Sequence, residues 1–134
     1  MKKILFLLLV PLSTFALLSI NSIEGFSRDS TNTFEYNYRK GMECYDKGEE
    51  LQKKYLDEGF KSCGIPTDVV EQYGLALPYL ERAYTINNKD EKLLKSLMII
   101  YSTWGNIGKG KKRGKEYYAK SEKCRQEYDA LVSK

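Results

Sequence analysis

From Thr33 onward, large apolar side chains recur at steps of three and four, and nowhere does apolar alternate with polar for long enough to make a strand. Phe34, Tyr38, Met42 and Tyr45, then Leu51, Tyr55, Leu56 and Phe60, form the first stripe. At 3.6 residues per turn this spacing turns one helix face toward a core and leaves the intervening Glu, Lys and Asp in water. The pattern predicts an all-α fold. Breakers divide it into four helices. Cys63-Gly64-Ile65-Pro66 stops the first, with glycine for the cap and proline to block continuation. Asp68 and Glu71 read as a capping box for a second helix carrying Tyr73, Leu77, Leu80 and Tyr84. Pro78 inside it predicts a kink or a restart. Asp90 caps a third, with Leu93, Leu94, Leu97, Ile100, Tyr101 and Trp104, closed by a turn at Gly105-Asn106. The fourth bears Tyr117, Ser121, Cys124, Tyr128 and Leu131, flanked by Tyr118 and Val132. The expected bounds are 33–63, 68–87, 90–104 and 108–132, arranged as antiparallel hairpins.

The first 25 residues follow a different rule. Lys2 and Lys3 precede an almost unbroken apolar run from Ile4 to Leu18, and the small or polar Ser19, Asn21, Ser22 and Gly25 come next. Charge, apolar stretch and small-residue region are the order of a secretory signal peptide. Pro11, Ser13 and Thr14 interrupt the run, which is too short for a comfortable span, so cleavage is favoured over anchoring. The expected organisation is a removed signal over 1–25, a polar linker over 26–32 and a helical domain over 33–134. That makes the chain periplasmic or secreted, with no membrane association after cleavage.

Composition removes several chemistries. The chain has no histidine, so the commonest general base, the usual catalytic triads and most transition-metal sites are missing. Cys44, Cys63 and Cys124 are odd in number and match no zinc or redox spacing. Cys44 and Cys63 would lie about 28 Å apart along one helix, beyond disulfide reach. They read as apolar filler. No catalytic residue, metal or cofactor is expected, and the chain reads as a non-enzyme. Net charge is +4 from 22 Lys and Arg against 18 Asp and Glu, too weak to call for a polyanion by itself. One local cluster stands out: Lys109, Lys111, Lys112, Arg113 and Lys115. It is read first as a solvated helix start, and alternatively as a polyanion contact. Gly105-Asn106-Ile107-Gly108-Lys109-Gly110-Lys111-Lys112 approaches a phosphate loop but has Lys112 where the magnesium-binding hydroxyl belongs. Neither nucleotide nor nucleic acid is expected.

Internal repetition narrows the fold further. Ala76-x-x-x-Leu80-x-x-Ala83-Tyr84-x-Ile86-x-Asn88 resembles the second helix of a tetratricopeptide repeat. Leu94-x-x-Leu97-Met98-x-x-Tyr101-x-x-x-Gly105 resembles the first helix of the following repeat, and Tyr38-x-x-Gly41-x-x-Cys44-Tyr45-x-x-Gly48 has the same first-helix form. Tyr84 and Tyr118 are 34 positions apart, the repeat period of that family. Gly48 and Gly105 are 57 apart, an excess that fits an insertion between Glu49 and Tyr73 lengthening the first hairpin. The wording is similar to that of short exported tetratricopeptide proteins of the Bacteroides lineage, over about residues 34–120. Gly110 and Gly114 depart from the pattern, standing where the family prefers Ala and a bulky apolar residue. The resemblance implies two antiparallel hairpins whose first helices face a peptide-binding groove. It places Tyr38, Met42, Tyr45, Lys95, Ile99 and Ser102 on that face. The implied partner is a protein or peptide. A structural, oligomer-forming role is the alternative, because two repeats make a short groove and a second copy could complete the core.

N-terminal sequencing of the exported form should give a first residue between Ser19 and Phe26. Recovery of a membrane-held chain that still begins at Met1 would contradict the signal reading.

Overall fold

The computed structural model of the chain describes residues 31–59 and 64–134; the signal assignment, and the linker assignment apart from Thr31 and Asn32, lie outside the described residues. Among the described residues there are four helices: α1 Phe34–Asp57, α2 Thr67–Ile86, α3 Glu91–Ile107 and α4 Lys112–Val132. They belong to one compact unit, Thr33–Lys134, and no strand occurs among the described residues. The all-α expectation holds, with two hairpins: α1 packs closely on α2 and α3 on α4, while α2 and α3 meet over a smaller area.

Each helix end has a local cause. Thr33 caps α1, its Oγ1 accepting from the Tyr36 N–H at 3.2 Å, and Glu35 sits favourably in the first turn. The helix ends at Asp57, six residues before the expected stop. Gly59 is the reason. Its φ of +74° is a left-handed conformation that costs a glycine little, and the Glu58 and Gly59 N–H groups fold back onto the Lys54 and Leu56 carbonyls. Asp57 and Glu58, unfavourable beside the negative helix end, were the quieter signal. Helix α2 begins after Pro66, which offers no side-chain cap, so Asp68 lies inside the first turn rather than at the cap. Its carboxylate accepts from the Val69 N–H at 2.9 Å and the Tyr55 hydroxyl at 2.8 Å, pinning α2 to α1. Pro78 does not interrupt α2. It faces solvent, and Gly74, whose carbonyl loses its helical partner there, is itself partly exposed. Asp90 caps α3 as expected, accepting from the Leu93 N–H at 2.8 Å.

The end of α3 departs from expectation. Gly105 is not a turn residue; it is buried inside the helix, which continues to Ile107. The chain reverses at Gly110, φ +84°, and α4 starts at Lys112 rather than 108. Close approach explains these glycines. A Cβ on Gly105 would sit 3.0 Å from the Tyr118 ring, and one on Gly114 would overlap the Gly108 carbonyl. Gly110 and Gly114, anomalous as repeat residues, are what lets α4 leave the turn against α3. In α1 the same device recurs: a Cβ on Gly41 would reach 2.5 Å from Leu80, and one on Gly48 2.7 Å from the Tyr73 ring.

Opposed pairings fix direction. Gly41 meets Leu80, Gly48 meets Tyr73 and Tyr55 meets Asp68, so α2 runs antiparallel to α1. Helix α3 then returns alongside α1, with Ser96 against Met42 and Lys92 against Asp46. Val69, Tyr73, Leu80, Leu93, Leu94, Leu97 and Ile100 are fully buried between these elements. Helix α4 adds only Cys124 to the buried apolar set; Tyr117, Tyr128 and Leu131 pack half-buried against the core, and polar contacts supplement them. Tyr84 donates to Glu127 at 2.8 Å, Tyr101 donates to Glu81 at 2.7 Å, and Lys120 pairs with the same Glu81 at 2.9 Å.

Gly114→Ala should therefore destabilise the protein by about 1–3 kcal/mol, because the obstruction is backbone and cannot rotate away. Gly110→Ala faces open space and should lose only the left-handed preference, about 1 kcal/mol. Urea unfolding of both variants, compared with the parent, measures the order.

Candidate binding groove

Helix α3 shows two faces. Leu93, Leu94, Leu97, Ile100 and Tyr101 turn inward, whereas Ile99, Ser102 and Asn106, spaced by three and four, look away from α1 and α2. The outward stripe runs beside Tyr118, Ser121, Glu122 and Arg125 of α4. Between them lies a shallow, open depression of about 660 Å³, with Met98 and Thr103 completing the α3 wall.

Chemistry is graded across it. Ile99 and Tyr118, each 40% exposed, form an apolar rim. Ser102 and Ser121 form a polar floor, their hydroxyls 2.9 Å apart, and Ser121 also donates to the Met98 carbonyl at 3.1 Å. Tyr118 donates to Asn106 at 2.6 Å, which fixes the ring along the rim. The far wall is charged. Arg125 forks onto Glu122 at 2.9 and 2.5 Å and reaches Asp129 at 3.4 Å. Gln126 also donates to Glu122 at 3.2 Å. Arg125, then Gln126, holds the Glu122 carboxyl below its ordinary range. Glu122 in turn raises the Arg125 guanidinium, so the pair is fully ionised at neutral pH. Beyond this wall Lys95 lies 4.9 Å from the centre of the Tyr128 ring.

The six residues expected to share a groove do not form one surface. Ile99 and Ser102 line the depression, and Lys95 lies further along the same helix. Tyr38 is half-buried, stacked on Phe34 at 5.3 Å. Its hydroxyl is raised first by burial and then by Asp90. Met42 and Tyr45 are corrected outright: at 5% and 7% exposure they belong to the core. Met42 receives the Ser96 hydroxyl at its sulfur, and Tyr45 stacks on Tyr73 at 5.6 Å, its own hydroxyl pushed up by burial and by Glu49. The reason is geometric, since α3 seats on the very α1 face that would otherwise be open. Sequence reasoning also missed Tyr118, Glu122 and Arg125, because Tyr117, Cys124 and Tyr128 drew attention to the opposite stripe of α4. Ser121, a small polar residue within that stripe, was the available signal.

The cationic residues are placed elsewhere. Lys109, Lys111, Lys112, Arg113 and Lys115 are all exposed on the α3–α4 turn and the first turn of α4. Cys44 and Cys124 are free thiols, the latter buried and pushed up to about 11 by that burial; Cys63 lies outside the described residues. Among the described residues no set of three His, Cys, Asp or Glu side chains is arranged to hold a metal ion. Comparison with protein-family models, with curated proteins and with solved structures produced no match.

Tyr45→Ala should act on folding rather than on binding. Loss of a buried aromatic ring costs about 3–5 kcal/mol. Thermal melting followed by helical circular dichroism should show a large drop, whereas Ser102→Ala should leave the melting temperature within a few degrees of the parent.

Proposed function

We propose that this chain is a non-enzymatic interaction module of the tetratricopeptide type, exported from the cytoplasm, that holds a helical segment of another protein in the α3–α4 groove. One observation carries the reading: the α3–α4 hairpin has a mixed face, apolar at Ile99 and Tyr118 and polar at Ser102, Asn106 and Glu122, that no helix covers among the described residues. Exposed rim residues of this kind supply contact area, and fixed polar groups supply direction. Within the fold, α3 lies on the α1–α2 hairpin in the way an incoming amphipathic helix would lie on α3–α4. Stacked hairpins extend by repeating such a contact. The small-residue approaches at Gly41 and Gly48, and the seating of α3 against both helices of the first hairpin, support the repeat architecture. The ionised Glu122–Arg125 pair offers a donor and an acceptor to one side of the bound helix.

Selection of helical peptides from a displayed library against the full chain tests the proposal. Ile99→Asp and Tyr118→Ala should each weaken selected binders by about 1–2 kcal/mol, roughly tenfold. Ile99→Asp should preserve the melting temperature, whereas Tyr118→Ala, which also removes the ring packed on Gly105, should lower it without unfolding the chain at the binding temperature. Binders indifferent to both changes, yet lost on altering another surface, would reject the groove. A concentration-dependent dimer abolished by Ile99→Asp would instead assign the face to a second copy of this chain.

A further inference from the structure

We propose that the α3–α4 turn is a docking tip for the surface of an anionic phospholipid bilayer, contacted through the cations of 109–115 and the side chain of Ile107. Neither the groove nor its occupant enters into this inference. The sequence contains no Asp or Glu between Glu91 and Glu116, and five of the cations in that stretch fall within seven residues. All five are exposed, and none of them takes part in an ion pair among the described residues. On the helix flanks the pattern is the reverse. Lys47, Lys92, Lys120 and Arg125 each lie within 4 Å of a carboxylate. Along the helices cations and carboxylates are interspersed, whereas at this tip the charge is of one sign.

Local structure reinforces the field. Lys111 occupies the cap position of α4 without any side-chain cap bond, and the first turn holds no acidic residue. Cations thus sit at the positive end of a 21-residue helix, where they oppose its dipole and disfavour the fold. An anionic surface reverses the sign of that conflict. The tip is also firmly shaped. Lys111 N–H bonds to the Gly108 carbonyl at 2.9 Å, Lys109 N–H to the Asn106 carbonyl at 3.2 Å, and Gly114 is held against Gly108.

A bilayer is selected over a soluble polyanion by what accompanies the charge. Ile107, 54% exposed, immediately precedes the cations. Helices α1 and α3 both run antiparallel to α2 and so share one direction, and the contact between Tyr38 and Asp90 near the start of each sets Leu56, 67% exposed, roughly level with Ile107. At that end Lys53 and Lys54 stand against Asp57, Glu58 and Asp68, a balance outweighed by the five cations of the turn. Against a polysaccharide or a duplex these aliphatic groups would stay in water; at a lipid interface they leave it while the cations meet phosphodiesters. No aromatic residue lies between Gly105 and Glu116 to stack on a base. Among the described residues no helix is long and apolar enough to cross a membrane, so the contact is peripheral.

Vesicle flotation of the full chain tests the assignment, comparing phosphatidylglycerol mixed in equal parts with phosphatidylcholine against phosphatidylcholine alone. Any binding by the apolar leader is common to every variant, so the readout is the ratio between the two lipids. The parent should prefer the anionic vesicles, and raising salt several-fold should remove the preference. The triple variant Lys111→Gln, Lys112→Gln, Arg113→Gln should lower the ratio on the order of 10- to 100-fold, and Lys109→Gln with Lys115→Gln by less. Ile107→Ser should weaken binding to anionic vesicles roughly fivefold while leaving retention on immobilised heparin unchanged. Helical circular dichroism should be the same for all variants. Equal binding of the parent to both lipids, an unchanged ratio in the triple variant, or retention on heparin or duplex DNA with no anionic-vesicle preference would each overturn the proposal.

Discussion

Every other contact in this protein is arranged around the burial of α3. Leu93, Leu94, Leu97 and Ile100 are fully enclosed, and Tyr101 nearly so. No two-helix arrangement could cover them, because they span more than one stripe of a 17-residue helix. Covering one such aliphatic side chain contributes about 1.5–3 kcal/mol, so α3 alone supplies a large part of what opposes chain entropy. Its position dictates the rest. Helix α1 must offer Met42 and Tyr45 to it, α2 must offer Leu80 and Ala83, and α4 closes the remaining side. The face on which a groove was expected is consumed by this requirement, and the exposed face moves to α3–α4.

Helix α4 is fastened by different means. Apart from Cys124 it brings no fully covered apolar side chain, so packing alone would leave it marginal. Tyrosines make up the difference. Tyr84 of α2 donates its hydroxyl hydrogen bond to Glu127 of α4, and Tyr101 of α3 donates to Glu81 of α2, a carboxylate that Lys120 of α4 also reaches. Tyr73 does the same toward Glu49 in the first hairpin. Burial, followed by the adjacent carboxylate, pushes the Tyr73 and Tyr101 hydroxyls well above the usual tyrosine range. They are donors at any physiological pH. In a chain without histidine, this is how half-buried carboxylates are satisfied without a buried cation. Lys120 and Lys123 then lie over the Tyr101 and Tyr84 rings, adding exposed cation–π contacts that help little individually.

The α3–α4 turn shows a conflict between local and global demands. Gly108 and Gly114 bring two backbones together at a distance that excludes any Cβ, and the conformation of Gly110 disfavours other residues. Glycine lowers helix propensity, and cations at an uncapped helix start lower it again. Local rules would choose Ser or Asp before α4 and Glu within its first turn. For the glycines the departure follows from the close approach of the two helices, a tertiary contact that overrides local propensity.

What the sequence determined by itself is the part governed by near neighbours. Helical periodicity, the Thr33 to Ile86 hairpin, the Asp90 cap and the count of helices follow from residues within a turn or two of one another. The glycines show the limit. Gly59 and Gly105 are the same residue type in similar surroundings; one ends a helix in a left-handed conformation, and the other continues it so that Tyr118 can approach. Only the neighbouring helix distinguishes them. Likewise Tyr45 and Tyr118 are both aromatic residues on helical stripes, yet one stacks on Tyr73 and the other borders water. Periodicity reports that a side chain lies on a face, but which face is covered depends on how hairpins stack. That choice was made by tertiary structure, because α3 has more apolar surface than one partner can bury, and its seating decides which stripes of the remaining helices stay open.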